Sequence, residues 1–481
     1  MDAITPTPRA CWIAGEPEQG ETELTVRHPY DGTEVASVAV PGSEQVERAV
    51  TAAATVAAEF RGSPAHLRAG ALEHISRALS SRAEEIAETI TAENGKPMKW
   101  AEIEVARAAS TFRFAVEEAR RLPGEMQRLD TEPSTEGRLA LVRRMARGPV
   151  LGIAPFNFPL NLVAHKVAPA LAVGAPIVIK PAPRTPLTAL LLGEILAETQ
   201  LPAGAFSVLP LGNAETSALV ADERLPVVSF TGSGPVGWAI ADAAARKHVV
   251  LELGGNAAAV VCTDWDDLDF AAKRIAMFGN YQAGQSCIAV QRVIVDASVA
   301  EEFVPKLVDA VRGLRVGDPH DPEVEVGPLV DEAAAERVER WVGEAVDAGA
   351  RLLAGGSRDG ATVAPTVLTD VPRRANVWAE EVFGPVLCVR IVDGVDEAFA
   401  AVNDSVYGLQ AGLFTRDARL AFRACAELDV GGVIVGDVPS FRADQMPYGG
   451  VKGSGVGREG VRSAMTDLTE ERVLVFTDVA L

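Results

Sequence analysis

At 481 residues the chain is too long for one simple core, and a hydrophobic content of 48% with a slightly positive mean hydropathy marks it as globular. No run reaches the roughly 18 consecutive apolar residues of a membrane helix, and "MDAITPTPRA" lacks the charged-then-apolar build of a signal peptide, so the expected location is the cytoplasm. A formal net charge of −21 argues against nucleic acid as a partner, and five scattered cysteines without a C-x-x-C pair, with six dispersed histidines, argue against a disulfide framework or a metal site.

From Ser43, "SEQVERAVTAAATVAAEFRG" reads as a capped amphipathic helix that Gly62 stops. A second helical run extends to "NGKP" at 94–97, and a third covers about 99–121. After the polar "PGEMQRLDTEPSTEGR", short β-branched runs alternate with helical stretches: "PVLGIA", "APIVIK", "LPVVSF", "HVVLEL". Their unbroken apolar character is that of parallel strands covered on both faces. A second series runs from near Ala257 to about Val435 through "AAAVVC", "AVQRVIV" and "GPVLCVRIV". Two α/β lobes joined near Glu252 is the simplest account. The late strand "ERVLVFT" has no local partner and is expected to pair with a distant segment or another subunit.

"FTGSGPVG" sets Gly232, Gly234 and Gly237 between a strand and a helix, the spacing of a backbone cradle for pyrophosphate, although a plain tight turn has the same pattern. The acid that such a cradle calls for some way downstream is Glu252, a ribose ligand by that rule. The same residue opens "ELGGN" at a strand end, a suitable place for a general base. Lys180 closes the strand "APIVIK", where ligands of open α/β sheets bind; the alternative is a solvated strand-end lysine. Asn157, in "APFNFPLNL", can donate to a developing oxyanion or satisfy local backbone groups. Cys287 follows Gly284, Gln285 and Ser286 in a polar turn, an odd place for a residue that usually serves as a small buried hydrophobe. "EEVFGPV" and the glycine-rich "MPYGGVKGSGVGREG" read as functional loops, or as a helix-terminal acid pair and a connector.

Considered together, "PFNFP", "IVIKP", "FTGSGPVG", "LELGGN", "GQSC", "EEVFGPV" and "MPYGGVKGSG" fall in one order along nearly the whole chain, and in this the sequence resembles the aldehyde dehydrogenase superfamily. The resemblance implies an α/β architecture: a Rossmann-like cofactor domain (1–122 and 148–251), an α/β catalytic domain (252–441), and a small β oligomerisation element with a C-terminal loop (123–147 and 442–481). It implies oxidation of an aldehyde to its acid with NAD or NADP, in a homodimer or homotetramer. Cys287 resembles the nucleophile, working as a thiolate in a partly exposed turn. Asn157 and the Cys287 backbone N–H resemble the oxyanion donors, and Glu252 resembles the base that activates water on the thioester, which decides between its two readings. Lys166 matches a position of proton relay or structural support. Cofactor contacts are implied at Phe156, Lys180, Pro183, Gly212, Phe230, Gly232, Ser233, Gly237, Leu253, Glu381 and Phe383.

Pro183 stands where many NAD-preferring relatives carry a glutamate that repels a 2′-phosphate; with Arg184 adjacent, NADP stays open, and NAD is slightly favoured. Arg107 resembles an arginine that binds the substrate anion in nonphosphorylating glyceraldehyde-3-phosphate dehydrogenases, and Arg442 falls in the loop expected to line the substrate entrance. Two guanidiniums suit a phosphate, phosphonate or carboxylate, and either residue can equally be a salt-bridge partner. Ser286 replaces the second arginine of those enzymes, which moves the resemblance toward the lactaldehyde, glycolaldehyde and phosphonoacetaldehyde group. The expected substrate is thus a small polar or anionic aldehyde. Two rival expectations are a CoA-acylating semialdehyde dehydrogenase, which Glu252 opposes because such enzymes lack that acid, and a noncatalytic nucleotide-binding protein of the same fold, which the intact Cys287, Glu252 and Asn157 oppose.

Overall fold

The computed structural model describes residues 8–122 and 124–478, so positions 1–7, 123 and 479–481 of the segments implied above lie outside it. Four helices come first: Ser43–Gly62, Ala65–Ser81, Ala83–Asn94 and Met98–Arg120. The stretch that reads as one run up to Asn94 is therefore two helices. It breaks at Arg82, whose φ of −105° and ψ of 23° leave the helical region, and whose guanidinium is held by Glu85 at 2.8 Å and Glu194 at 3.0 Å. The apolar stripes of these helices, including Phe60, Leu72, Ile75, Ile86 and Phe112, bury against helix Asn161–Val173 and one face of the first sheet.

That sheet runs in the order Glu16–Glu18, Cys11–Ile13, Phe206–Val208, Ile177–Lys180, Val150–Ile153, Val227–Thr231, His248–Glu252, Gly455–Val456. Its five middle strands are parallel. Those around Val150–Ile153 are buried at every position because helices cover both faces, which is why they read as unbroken apolar runs. Chain order reverses at Val150–Ile153. The crossovers leave it on opposite sides and open a crevice at the carboxyl ends, between this strand and Val227–Thr231.

The second sheet is Arg351–Ala354, Thr366–Thr369, Val386–Val392, Arg292–Asp296, Ala258–Val261, Gln410–Phe414, Gly432–Val435, parallel except for its first strand. The late strand Thr469–Phe476 finds its partner in a distant segment, pairing antiparallel with Leu139–Ala146, which also pairs with Gly124–Arg128. Residues after 441 thus serve two sheets, since Gly455–Val456 also pairs with the end of His248–Glu252. Among the described residues, no helix is long and apolar enough to cross a membrane.

Candidate active site

The crevice deepens into a cavity of about 850 Å³. Its floor is made of strand ends and the turns after them: 153–157, Lys180, Ala182, Pro183, 230–233 and 252–254. The segment packed opposite, from the second sheet, brings Cys287, Arg337, Glu381 and Phe383 to the same space. Ser233 caps helix Gly234–Ala243 without a side-chain bond to its first turn, so the free N–H groups there are available to an anion. The Lys180 ammonium, in the same wall, has no ion pair among the described residues, and burial pushes its pKa down to about 8. A buried cation, an uncapped helix start and an elongated apolar wall are a donor set that fits a dinucleotide.

Two of the expected cofactor ligands stand behind this wall. Gly212 caps helix Asn213–Ala221, and it is Asn213, Thr216 and Ser217 that reach the cavity. Gly237 lies under Leu253, where a Cβ would come within 2.3 Å of Leu253 Cδ2, so its part is to let the helix close on the strand.

The turn that leads into Cys287 is built on strain. Gln282, Ala283 and Gly284 take φ values of 52°, 53° and 71°, three left-handed residues in succession. For each of the two with a Cβ this conformation costs about 1–2 kcal/mol. Neighbouring loops hold it. A Cβ at Gly284 would meet the Gly384 carbonyl oxygen at 2.2 Å, so "AGQSC" and "FGPV" touch backbone to backbone. The Gln282 amide donates to the Asn157 carbonyl and to Asn94 Oδ1. Asn157 Nδ2 donates in return to the Gln285 carbonyl at 2.8 Å. "ELGG" closes the other side: a Cβ at Gly255 would lie 2.7 Å from the Cys287 carbonyl oxygen, and the Gly255 N–H donates to Glu381 at 3.0 Å.

Cys287 is consequently half-buried at the cavity wall, in a turn whose residues 282–286 are buried. The partial exposure expected of Cys287 is present, but the turn around it is buried, which disfavours the thiolate. Burial pushes the thiol up to about 12, opposed mainly by a hydrogen bond with Tyr448, Sγ to Oη 3.0 Å. Asn157 is 3% exposed; one Nδ2 hydrogen is spent on Gln285 and the other is available. Glu252, at the end of its strand and 3% exposed, has no hydrogen-bond partner for either carboxylate oxygen among the described residues. Burial, and then the charge of Glu459, raise its pKa well above the usual range.

Behind these groups lies a layer of buried charge that the sequence did not disclose. Lys166 does not line the cavity: its ammonium donates to Ser229 at 3.1 Å and Thr231 at 2.7 Å and pairs with Glu459 at 3.5 Å. Arg442, expected at a substrate entrance, does not line this cavity. Its side chain is 6% exposed, paired with Glu459 at 2.9 Å and stacked 3.9 Å over the Tyr448 ring, because Tyr448 and Glu459 are bridged backbone to backbone beneath it. Arg107 reaches from its helix to Asp444 at 2.8 Å and keeps more exposure than Arg442. Burial opposes the charge of Asp444, but hydrogen bonds from His165 and the nearby Arg107 hold its carboxyl well below the usual range. Ser286 is buried, is not among the residues lining the cavity, and accepts from Tyr281 at 3.1 Å, beside an aromatic group of Tyr281, Trp100, Phe158 and Phe278. Tyr448, Glu459 and Asp444 carry no local signal; the only hint was the glycine-rich loop around them.

The whole arrangement has known counterparts. The model of the aldehyde dehydrogenase family matches residues 12–474. The chain is 42% identical over 465 residues to a 3-sulfolactaldehyde dehydrogenase of Priestia aryabhattai, covering 96% of this chain and 97% of that one. Aldehyde dehydrogenase 21 from Physcomitrella patens, crystallised with the reaction product succinate, superposes with a TM-score of 0.97 at 44% identity, covering 99% of each chain. An NADP-dependent glyceraldehyde-3-phosphate dehydrogenase from Bacillus halodurans, complexed with NADP, does so with a TM-score of 0.94 at 34% identity, covering 98% of this chain and 99% of that one. The chain belongs to the aldehyde dehydrogenase family.

Proposed function

We propose that the cavity is where this NAD(P)-dependent aldehyde dehydrogenase converts a short aldehyde with an anionic end into its acid. One observation carries the reading: the Cys287 thiol, the Asn157 carboxamide and the unpartnered Glu252 carboxylate open on the same cavity as Lys180, Ser233 and Glu381. Residues 1–122 and 148–251 would hold the cofactor and 252–441 the reacting groups. In this reading Cys287 gives up its thiol proton to solvent and the thiolate adds to the carbonyl carbon. The electron pair released onto oxygen is held by Asn157 Nδ2 and the Cys287 N–H. The nicotinamide cofactor, when bound, accepts the hydride. Glu252 then takes a proton from the water that attacks the thioester, releasing the acid and restoring the thiol.

The anionic end rests on Arg107, whose other guanidinium N–H groups have no partner among the described residues beside the Asp444 pair, and on the relatives: sulfolactaldehyde carries a sulfonate and succinate a second carboxylate. Arg442 acts instead on Tyr448. We further read the enzyme as a homo-oligomer, because Val473, Leu474, Val475 and Phe476 of the third sheet are 42–58% exposed, and as cytoplasmic, because all five cysteines are free thiols. The Val473→Asp, Val475→Asp double variant should lower the sedimentation mass toward that of one chain.

Cys287→Ser should lower kcat on the order of a thousandfold across a panel of short aldehydes with and without an anionic end. Glu252→Gln should keep a single-turnover burst of NAD(P)H while steady-state turnover falls; loss of the burst would remove Glu252 from the hydrolytic step. Tyr448→Phe should slow alkylation of Cys287 by iodoacetamide about three- to tenfold at neutral pH, since the thiolate loses a donated hydrogen bond. For the cofactor, NADP is admitted beside NAD because the cavity wall near Pro183 carries no acid to repel a 2′-phosphate. Lys180→Ala should then raise KM for NADP more than for NAD. With wild type, the KM for NADP should climb as pH passes upward through about 8, where free Lys180 loses its proton.

A further inference from the structure

We propose that His28, His320 and Asp318 form a binding site for a divalent transition-metal cation of the zinc class, on the seam between the two halves of the molecule. His28 follows the strand Thr22–Arg27 and opens the hairpin turn that returns to Glu34–Val40. Asp318 and His320 lie in the loop between helices Ala297–Arg312 and Glu332–Asp347. The two stretches meet beside the start of helix Met98–Arg120, whose Met98 N–H donates to the Pro319 carbonyl at 3.1 Å. There, one donor atom of each of the three residues lies within 4.8 Å of the others.

The decisive member is His28. It is 6% exposed, and its Nδ1 stands 2.9 Å from the Ala92 carbonyl, so the ring keeps its proton on Nδ1 and presents a lone pair at Nε2. That Nε2 is buried and finds no hydrogen-bond partner among the described residues. A buried acceptor left without a donor is costly in a folded protein, and a metal ion removes the cost. An imidazole oriented by a backbone carbonyl through one nitrogen, with the other free, is also how proteins prepare a histidine for a metal. The His320 ring stands beside it, centroids 5.2 Å apart at 58°, with its own Nδ1 3.3 Å from Asp318 Oδ1. Asp318 Oδ1 further accepts from the His320 backbone N–H at 2.9 Å, which pins the carboxylate and leaves its second oxygen over.

His320 and Asp318 are about half exposed, so the small rotations that close the set onto one ion fall on side chains free to make them, around a buried anchor that is not. Two imidazoles and one carboxylate select Zn²⁺, Co²⁺ or Ni²⁺ over the oxygen-seeking Ca²⁺ and Mg²⁺ or the thiolate-seeking Cu⁺. None of the three residues lines the catalytic cavity, so the ion has no part in the aldehyde chemistry. Its effect is mechanical. Asn94, two residues beyond the Ala92 carbonyl that orients His28, donates to the Phe156 carbonyl at 2.7 Å and accepts from Gln282 at 3.1 Å, so the seam that the ion ties carries the loops of Asn157 and Cys287.

The test is titration of the full-length enzyme with Co²⁺, followed by displacement with Zn²⁺. We expect one equivalent of visible d–d absorption, without a thiolate-to-cobalt charge-transfer band, and a thermal midpoint raised by Zn²⁺. His320→Gln and Asp318→Asn, both at exposed positions, should each weaken binding by at least about tenfold, abolish the thermal shift and leave metal-free aldehyde oxidation unchanged. Substoichiometric binding, an affinity unchanged in both variants, or bound cobalt that shows only thiolate coordination would overturn the site. None of those outcomes bears on the roles of Cys287 and Glu252.

Discussion

The catalytic arrangement depends on one local constraint, the run of left-handed backbone at 282–284. A chain entering Cys287 in ordinary extended or helical conformation would aim the sulfur elsewhere. The reversal at three consecutive residues sets the Gln285 carbonyl against Asn157 and leaves Cys287 facing the cavity. Such a turn is unstable alone, so it persists only because rigid elements over-determine it. Four glycines belong to the same constraint: a Cβ at 255 or 284 would collide with backbone of a neighbouring loop, and one at 254 or 384 with the side chain of Glu381 or Val338. Three loops from two sheets are thereby locked into one geometry, and the strain is offset by bonds that exist only when all three are present.

Electrostatics adds a second condition. Taking Lys166, Arg442, Glu459 and Glu252 out of water is costly unless opposite charges meet. Glu459 pairs with both cations, and the two of them hold it down to about 2 despite its burial. Glu252 has no such direct partner, so it is the member of the set whose proton affinity is left high. A carboxyl whose proton affinity is raised in this way takes up a proton more readily than one held down by paired cations. The pairing of Glu459 is thus what distinguishes the two buried acids.

Much of this was legible in the sequence, and the reason is physical. Parallel strands covered on both faces must be apolar throughout, so "PIVIK" and "HVVLEL" are recognisable as strands from sequence alone. Close backbone contacts demand glycine, so "ELGG" and "GQSC" were visible as motifs. The residues that stayed hidden act over long separations. Tyr448 meets Cys287 across 161 positions, and Asp444 meets Arg107 across 337. Arg442 misled for a related reason: a loop position tells where the backbone goes, and only packing against Tyr448 decides that the guanidinium turns inward. The break at Arg82 leaves no mark in the sequence because Ser81 and Arg82 are both tolerated in helices, and the anchor at Glu194 is a tertiary contact. His28 and His320 look unrelated because a hairpin and a loop from opposite halves bring them together.

The strand Gly455–Val456 closes the edge of the first sheet at the very residues that end in Glu252, after the chain has built the whole second sheet in between. During synthesis, the nucleotide crevice can therefore form from earlier residues well before the thiol has its phenol and the carboxylate its backing loop. The surroundings of Cys287 and Glu252 are complete only when this late segment is in place, since it brings Tyr448 to the one and an edge strand to the other. Assembly of this centre therefore needs both halves of the molecule in their folded positions.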